Sequence, residues 1–313
     1  MKVYAPSYYQ AFSCLMGACR HSCCIGWEID VDSETHAYYR TVGGEIGREL
    51  CENIAVNDGV ASFRLTQDER CPFLNEEGLC RLILSLGEDC LCQICADHPR
   101  FRSFFSDRTE LGLGLCCEGA AALILNWPQR VSMEILEDDG AEDALQPEEE
   151  ALLSERQTLM EIAQDRSLCI RERARQLCAQ LYMLKPDWKH WQAVLLKLER
   201  MDDTWAEHLQ RLTEPVDENA LKGEAWEIAF EQLLVYLLMR HMPTALEDGD
   251  MQLHAGYALL MWQVLRRLCA GLPAPSVEDL AELARLYSSE IEYSDENVDA
   301  ILDEIVKEIF IGE

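Results

Sequence analysis

The chain has 313 residues, a formal net charge of −30 and 49% apolar residues. That apolar share supplies real cores and excludes a disordered chain, and the length fits two domains of roughly 100 to 200 residues each. The charge excludes nucleic acid and anionic membrane as partners, because both need Lys and Arg to neutralise phosphate. It suits a basic, lysine-bearing protein instead, with solubility alone as the plainer alternative. The excess is uneven: residues 1–125 carry 18 acidic and 10 basic residues, net −8, and the rest carries 39 and 17, net −22.

The opening residues to Cys14 include one Lys but no apolar stretch of about seven to fifteen residues, so no signal peptide is expected. The longest apolar run, Tyr257 to Trp262, is too short to span a bilayer, and the chain is expected in the cytoplasm. Twelve of the fifteen cysteines fall within the first 117 residues. They are grouped as Cys14, Cys19, Cys23 and Cys24, then Cys71 and Cys80, then Cys90, Cys92 and Cys95, then Cys116 and Cys117, with Cys51 alone. In a reducing cytosol grouped thiols are metal ligands rather than disulfides.

Between these groups, Trp27–Val31 and Val60–Leu65 alternate as short strands do. The front domain, 1–126, is thus expected to be small, irregular and dependent on metal for its order. Residues 127–149, with Glu137-Asp-Asp-Gly140 and Gln146-Pro-Glu-Glu-Glu150, read as an acidic linker or surface hairpin.

From 150 to 313 the apolar spacing is helical. One stretch runs from Glu148 to about Leu184, a second from Asp187 to about Leu212, and a third from Leu221 to Met242, stopped by Pro243. A fourth covers Leu253–Ala270, ended by Gly271 and Pro273. Ser276-Val-Glu-Asp279 opens a fifth as a capping arrangement, and a last helix is expected over Asp295–Phe310. The expected fold is mostly α: a small cysteine-rich metal-binding domain with short strands, then an α-helical bundle.

Cys14-x4-Cys19-x3-Cys23-Cys24 puts four thiols within eleven residues. A cubane iron–sulfur cluster takes four soft, deprotonated ligands. Structural zinc also accepts four cysteines, usually from paired Cys-x2-Cys knuckles, and only Cys92-Gln-Ile-Cys95 has that spacing. The pattern leans towards iron–sulfur, with zinc as the alternative. The count admits either two sites or one site with bystander thiols.

These stretches resemble the flagellin lysine N-methylase (FliB) family, whose cysteine module is similar to that of YkgJ-type zinc- or iron-chelating proteins. The matching residues are Tyr9-Gln-Ala-Phe-Ser-Cys14, then Cys19-x3-Cys23-Cys24-Ile-Gly-Trp27-x-Ile-Asp30, then Cys71-Pro-Phe-Leu-x4-Leu-Cys80 with Leu86-Gly-Glu88. Cys95-x2-His-Pro-Arg100 and Glu110-Leu-Gly-Leu-Gly-Leu-Cys116-Cys-Glu118-x-Ala-Ala follow in the same order. The resemblance implies S-adenosylmethionine-dependent methyl transfer to lysines of flagellin, with an iron–sulfur cluster. The ligands it carries over are Cys14, Cys19, Cys23, Cys24, Cys71, Cys80, Cys95 and Cys116. Cys51, Cys90, Cys92 and Cys117 match less well and read as bystanders; Cys117 stands where the family commonly has proline.

Methylating a lysine requires the neutral amine, and with an unperturbed pKa of about 10.4 that amine is almost wholly charged at neutral pH. Glu118 and Tyr9, with Tyr8 beside it, are the nearest candidates to accept the proton, each with a structural role as the alternative. Arg100 could pair with the carboxylate of the methyl donor, with Arg102 beside it, and Glu118 with the donor's amine or ribose. Trp27 reads as core and His98 as a turn residue. Gly112-Leu-Gly114 lacks the strand–turn–helix context of a nucleotide fold, and the place of a third cysteine in a radical-type loop is taken by Gly26. An iron left open by three cysteines could instead anchor the donor. Polar and radical transfer both stay open, as does the oligomeric state. The competing function is a non-enzymatic zinc- or iron-chelating cytosolic protein with a helical interaction domain.

Overall fold

The computed structural model describes residues 1–141, 143–183 and 185–308. The first elements are β1 (Lys2–Pro6), β2 (Asp30–Val31), α1 (Ser33–Tyr39), α2 (Gly44–Asn53), β3 (Ile54–Asn57), β4 (Val60–Phe63), α3 (Arg81–Leu86) and α4 (Gln93–Asp97). Then come β5 (Arg100–Phe104), β6 (Arg108–Leu113), α5 (Glu118–Leu125) and β7 (Met133–Asp138). Helices follow: α6 (Pro147–Ala163), α7 (Ile170–Gln180), α8 (Trp188–Leu195), α9 (Asp203–Gln210) and α10 (Glu224–His241). The last are α11 (Ala245–Asp248), α12 (Met251–Ala270), α13 (Val277–Tyr287) and α14 (Asp295–Glu308). The expected fold class holds: a cysteine-rich part with short strands, and a helical remainder.

The chain forms two compact units: Ser13–Phe101 with Cys117–Gly119, and Met1–Phe12 with Arg102–Cys116 and everything from Ala120 onward. This division differs from the composition boundary at 126. In the helical unit β1 pairs in parallel with β6 and antiparallel with β7, so Lys2 faces both Arg108 and Asp138. The first strand therefore belongs with the helices, and the acidic stretch expected as a linker contains β7.

The cysteine-rich unit is built on a three-stranded sheet in the order β2-β4-β3, antiparallel throughout. Asp58 and Gly59, both at positive φ, close the two-residue turn between β3 and β4, the conformation that lets a hairpin keep its twist. Ile29, Val31, Tyr39, Leu50, Phe63, Phe73 and Leu82 form the core. Phe63 lies between Tyr39 and Phe73.

Asp32 caps α1 by accepting the Thr35 N–H at 2.9 Å, and its other oxygen accepts the Gln93 N–H, also at 2.9 Å. One carboxylate thus ties the sheet to the Cys92–Cys95 segment. The Gln93 and Thr35 N–H groups hold it below the usual carboxylate range. Its contribution is therefore complete above the unfolded value of about 3.9 and lost as pH falls through the lower folded value. Asp32→Ala is expected to cost about 1–2 kcal/mol, read by denaturant melts at pH 7. The gap to wild type should close on acidification, and a constant gap would contradict this role.

In the helical unit every residue of α10 from Ala229 to Met239 is buried, as is every residue of α12 from Leu253 to Trp262. Helices apolar all round are core helices, and these two are central. Their polar members are paired: Glu231 binds Arg173 and Arg166, and Glu292 accepts from the Tyr236 hydroxyl at 2.9 Å, with the His241 ring at the same distance.

Two helices expected as continuous are broken. Asp165 accepts from the N–H and hydroxyl of Ser167, a local bond that competes with helix and separates α6 from α7. Asp202 caps α9 through the Thr204 N–H and separates it from α8. The Ser276 capping box forms as expected. The last helix is described to Glu308, and the expected extension to Phe310 lies outside the described residues. Among the described residues no helix is long and apolar enough to cross a membrane.

Candidate metal centre

The loops that carry the cysteines are held by backbone bonds rather than by regular structure. The Cys71 N–H donates to the Cys24 carbonyl at 2.8 Å, and the Gly26 N–H to the Glu69 carbonyl at 3.0 Å. Between Cys71 and Cys80, the Asn75 side chain accepts from the N–H groups of Glu77 and Leu79 at 3.0 and 2.8 Å. Gly78 completes that turn at φ +73°, a conformation glycine takes without steric penalty.

Against this loop packs the turn Met16–Ala18, and the approach is backbone to backbone. A Cβ on Gly17 would lie 2.5 Å from the Glu77 carbonyl oxygen. Sequence reasoning did not single out Gly17, Asn75 or Asp32. The available signals were a glycine inside Cys14-x4-Cys19 and an Asn three residues before a Gly.

None of the cysteines among the described residues is in a disulfide. Cys71, Cys90 and Cys92 lie in the core of the unit, with Cys24, Cys80 and Cys95 packed against it. Cys14 and Cys23 are exposed, and Cys19 and Cys117 are half-buried. Cys51 is exposed on α2. Cys116 belongs to the helical unit, where it approaches the Tyr293 hydroxyl; burial first, then Cys116, pushes that phenol up.

The Met16 N–H points at the Cys14 sulfur at 3.3 Å. Trp27 donates its indole N–H to the Cys23 carbonyl at 2.7 Å and tilts over His98. Burial and then Arg100 push the His98 imidazole below its ordinary value.

The remaining candidates divide between the units. Glu118 accepts from the backbone N–H groups of Arg20 and His21 and from the Arg20 guanidinium at 2.8 Å. Burial alone would raise its carboxyl, but these donors outweigh that and hold it below the usual range. A carboxylate so engaged latches the Cys19–Cys23 loop to the start of α5 and is a weak base. Arg100 is half-buried at the start of β5 and reaches the Ala96 carbonyl, and Arg102 is exposed in the helical unit. Tyr9 and Tyr8 are in the helical unit; Tyr9 is half-buried, and Tyr8 is buried edge-on against Trp127, with its phenol pushed up by that burial.

The thiol electrostatics fit a soft cation. Burial pushes Cys19 up to about 11 and Cys71 up to about 12, and neighbouring sulfurs add to both shifts. Two neighbouring pairs, Cys23 with Cys24 and Cys92 with Cys95, are hydrogen-bonded through their thiols. Cys24 is lowered to about 7 by the Cys23 thiol while Cys23 is raised, and Cys92 is lowered by the Cys95 thiol while Cys95 is raised. So many sulfurs ionise together only when a metal compensates them.

Among the described residues, His190, Glu304 and Glu308 of the helical unit bring three potential ligand atoms within 4.8 Å of one another. Metal loading is expected to expel protons from the raised thiols, so affinity should fall as pH falls. Calorimetry in buffers of different ionisation heat should register that release; heats independent of buffer would contradict it.

Comparison with known proteins meets the resemblance read from the motifs. Over 137 residues, 42% of this chain, it is 28% identical to the lysine-N-methylases of Salmonella typhimurium and Salmonella choleraesuis. The same extent is 28% identical to the flagellar biosynthetic protein FliU of Salmonella muenchen and covers 81% of it. The match spans 34% of the length of the two methylases. No family model matches the chain, and no solved structure matches it.

Proposed function

We propose that the chain is an S-adenosylmethionine-dependent protein-lysine N-methyltransferase acting on flagellin, with an iron–sulfur cluster held by the cysteine-rich unit. The observation that supports it is the set of thiols gathered in one unit of a chain whose curated relatives are named lysine-N-methylases. The flagellar name of the third relative points to flagellin. Such a cluster, held by the cysteines of this unit, would supply a Lewis-acidic grip for the amino and carboxylate groups of the donor. Arg100, in the same unit, offers a bidentate partner for that carboxylate. Glu118 is the latch that positions the Cys19–Cys23 loop. The lysine must shed its proton in a site dry enough to favour the neutral amine.

The net −22 beyond residue 125 gives a basic lysine-bearing surface an attractive face. Flagellin binding is expected to weaken as ionic strength rises, since screening shortens the range to about 8 Å at physiological salt. Affinity unchanged between low and high salt would argue for apolar docking.

Two measurements test the reading. Anaerobically purified protein should be brown, with a broad band near about 400 nm from sulfur-to-iron charge transfer in the thiolate-held cluster; a colourless protein with stoichiometric zinc supports the chelator alternative. Mass spectrometry of flagellin from matched strains with and without the gene should show lysine methylation only in its presence, and identical spectra would overturn the proposal.

A further inference from the structure

The thiols of the cysteine-rich unit separate into two groups. Cys71, Cys90 and Cys92 are 6%, 2% and 1% exposed and sit in the apolar core, with Cys24, Cys80 and Cys95 packed against the same core. Cys14, Cys19, Cys23 and Cys117 lie outside that cluster, two of them exposed and two half-buried. Cys24, adjacent to Cys23, is the border between the groups.

We propose that this unit carries two metal centres: an inner thiolate centre drawn from Cys24, Cys71, Cys80, Cys92 and Cys95, and an outer one drawn from Cys14, Cys19, Cys23 and Cys117. The inference rests on the reading of these thiols as metal ligands. A four-coordinate metal or a cubane cluster is saturated by four protein sulfurs, and the unit holds more than twice that number. One centre shared by the exposed Cys14 and by Cys92 would have to draw Cys92 out of the core or pull Cys14 into it. Two centres need neither movement.

The arrangement assigns distinct work to each. The inner centre is closed by apolar packing and holds the fold. The outer centre has ligands open to solvent, and held by three of its four cysteines it would leave one metal position for a small molecule, so the methyl donor belongs there. Cys92, a bystander by motif, becomes an inner ligand, and Cys117 joins the outer set. Cys90 stays a core residue, with its carbonyl engaged by the Tyr39 hydroxyl at 2.8 Å.

The test counts metal in the full chain, reconstituted anaerobically with ferrous iron and sulfide. Iron release to a chelator is followed in time, with near-ultraviolet circular dichroism as a check on folding. Wild type is expected to release iron in two phases, the fast one from the outer centre. The double variant Cys19→Ser/Cys117→Ser should lose the fast phase and about half the iron while keeping the slow phase and the dichroism. A single release phase in wild type, or loss of all iron in a folded double variant, would overturn the proposal. Because wild type alone gives a decisive answer, unfolding of the variant does not blunt the test. Iron counting needs no flagellin. Two pools in a protein that transfers no methyl group would defeat the proposed function and leave two centres standing, and one pool with methyl transfer would do the reverse.

Discussion

Cys71→Ala is expected to strip metal from the protein and melt much of the cysteine-rich unit, whereas Cys178→Ala leaves both nearly unchanged. Cys71 is buried in the core of its unit, and its own N–H is bonded to the Cys24 carbonyl. On the proposed ligand assignment, its loss removes a metal ligand from the loop that this bond holds to Cys24. The unit has a thin core and little sheet, and structural metal can be worth about 10 kcal/mol or more of folding energy in so small a domain. Cys178 is half-buried in the helical unit, where its sulfur accepts a long 3.7 Å contact from Gln263. Losing such a side chain costs about 1 kcal/mol. Metal analysis and near-ultraviolet dichroism of both variants check the contrast; equal metal content would sink the assignment of Cys71.

Gly17→Ala is expected to lower metal affinity about tenfold without touching a ligand. The added methyl would meet the Glu77 carbonyl oxygen at 2.5 Å, and backbone offers no flexible end to swing away. Overpacking of this kind costs about 1–3 kcal/mol, and about 1.4 kcal/mol is a factor of ten. The strain is relieved only by moving the Cys14–Cys19 turn off the Cys71–Cys80 loop. Gly271→Ala is the control, since its methyl makes ordinary contact at 3.4 Å with the Leu268 carbonyl oxygen. Competition against a chelator of known affinity measures both. Wild-type affinity in Gly17→Ala would show that the two loops need not touch.

The parts legible in the sequence are those with local causes. Pro243 ends a helical run, the Ser276 capping box begins one, and grouped cysteines mark one unit. The breaks at Asp165 and Asp202 escaped because apolar periodicity continues across them while a single side chain turns the backbone. Asp58-Gly59 is the local hairpin signal that accounts for β3. The sheet of the helical unit was illegible for a different reason. Lys2 pairs with residues 108 and 138, and composition says nothing about pairings that distant. Adjacent thiols posed the same difficulty: Cys116 and Cys117 fall in different units, a matter of direction that spacing does not encode. Cys92 carried a usable signal, Cys-x2-Cys, which the family pattern outweighed.

The central claim is that the metal-loaded chain moves a methyl group to a protein lysine. The most direct measurement incubates the anaerobically reconstituted full chain with isotopically labelled S-adenosylmethionine and purified unmethylated flagellin, then reads labelled lysine by peptide mass spectrometry. The account predicts labelled N-methyllysine with the loaded protein and none after the metal is stripped. Unlabelled flagellin from fully loaded protein that binds both donor and flagellin would contradict it.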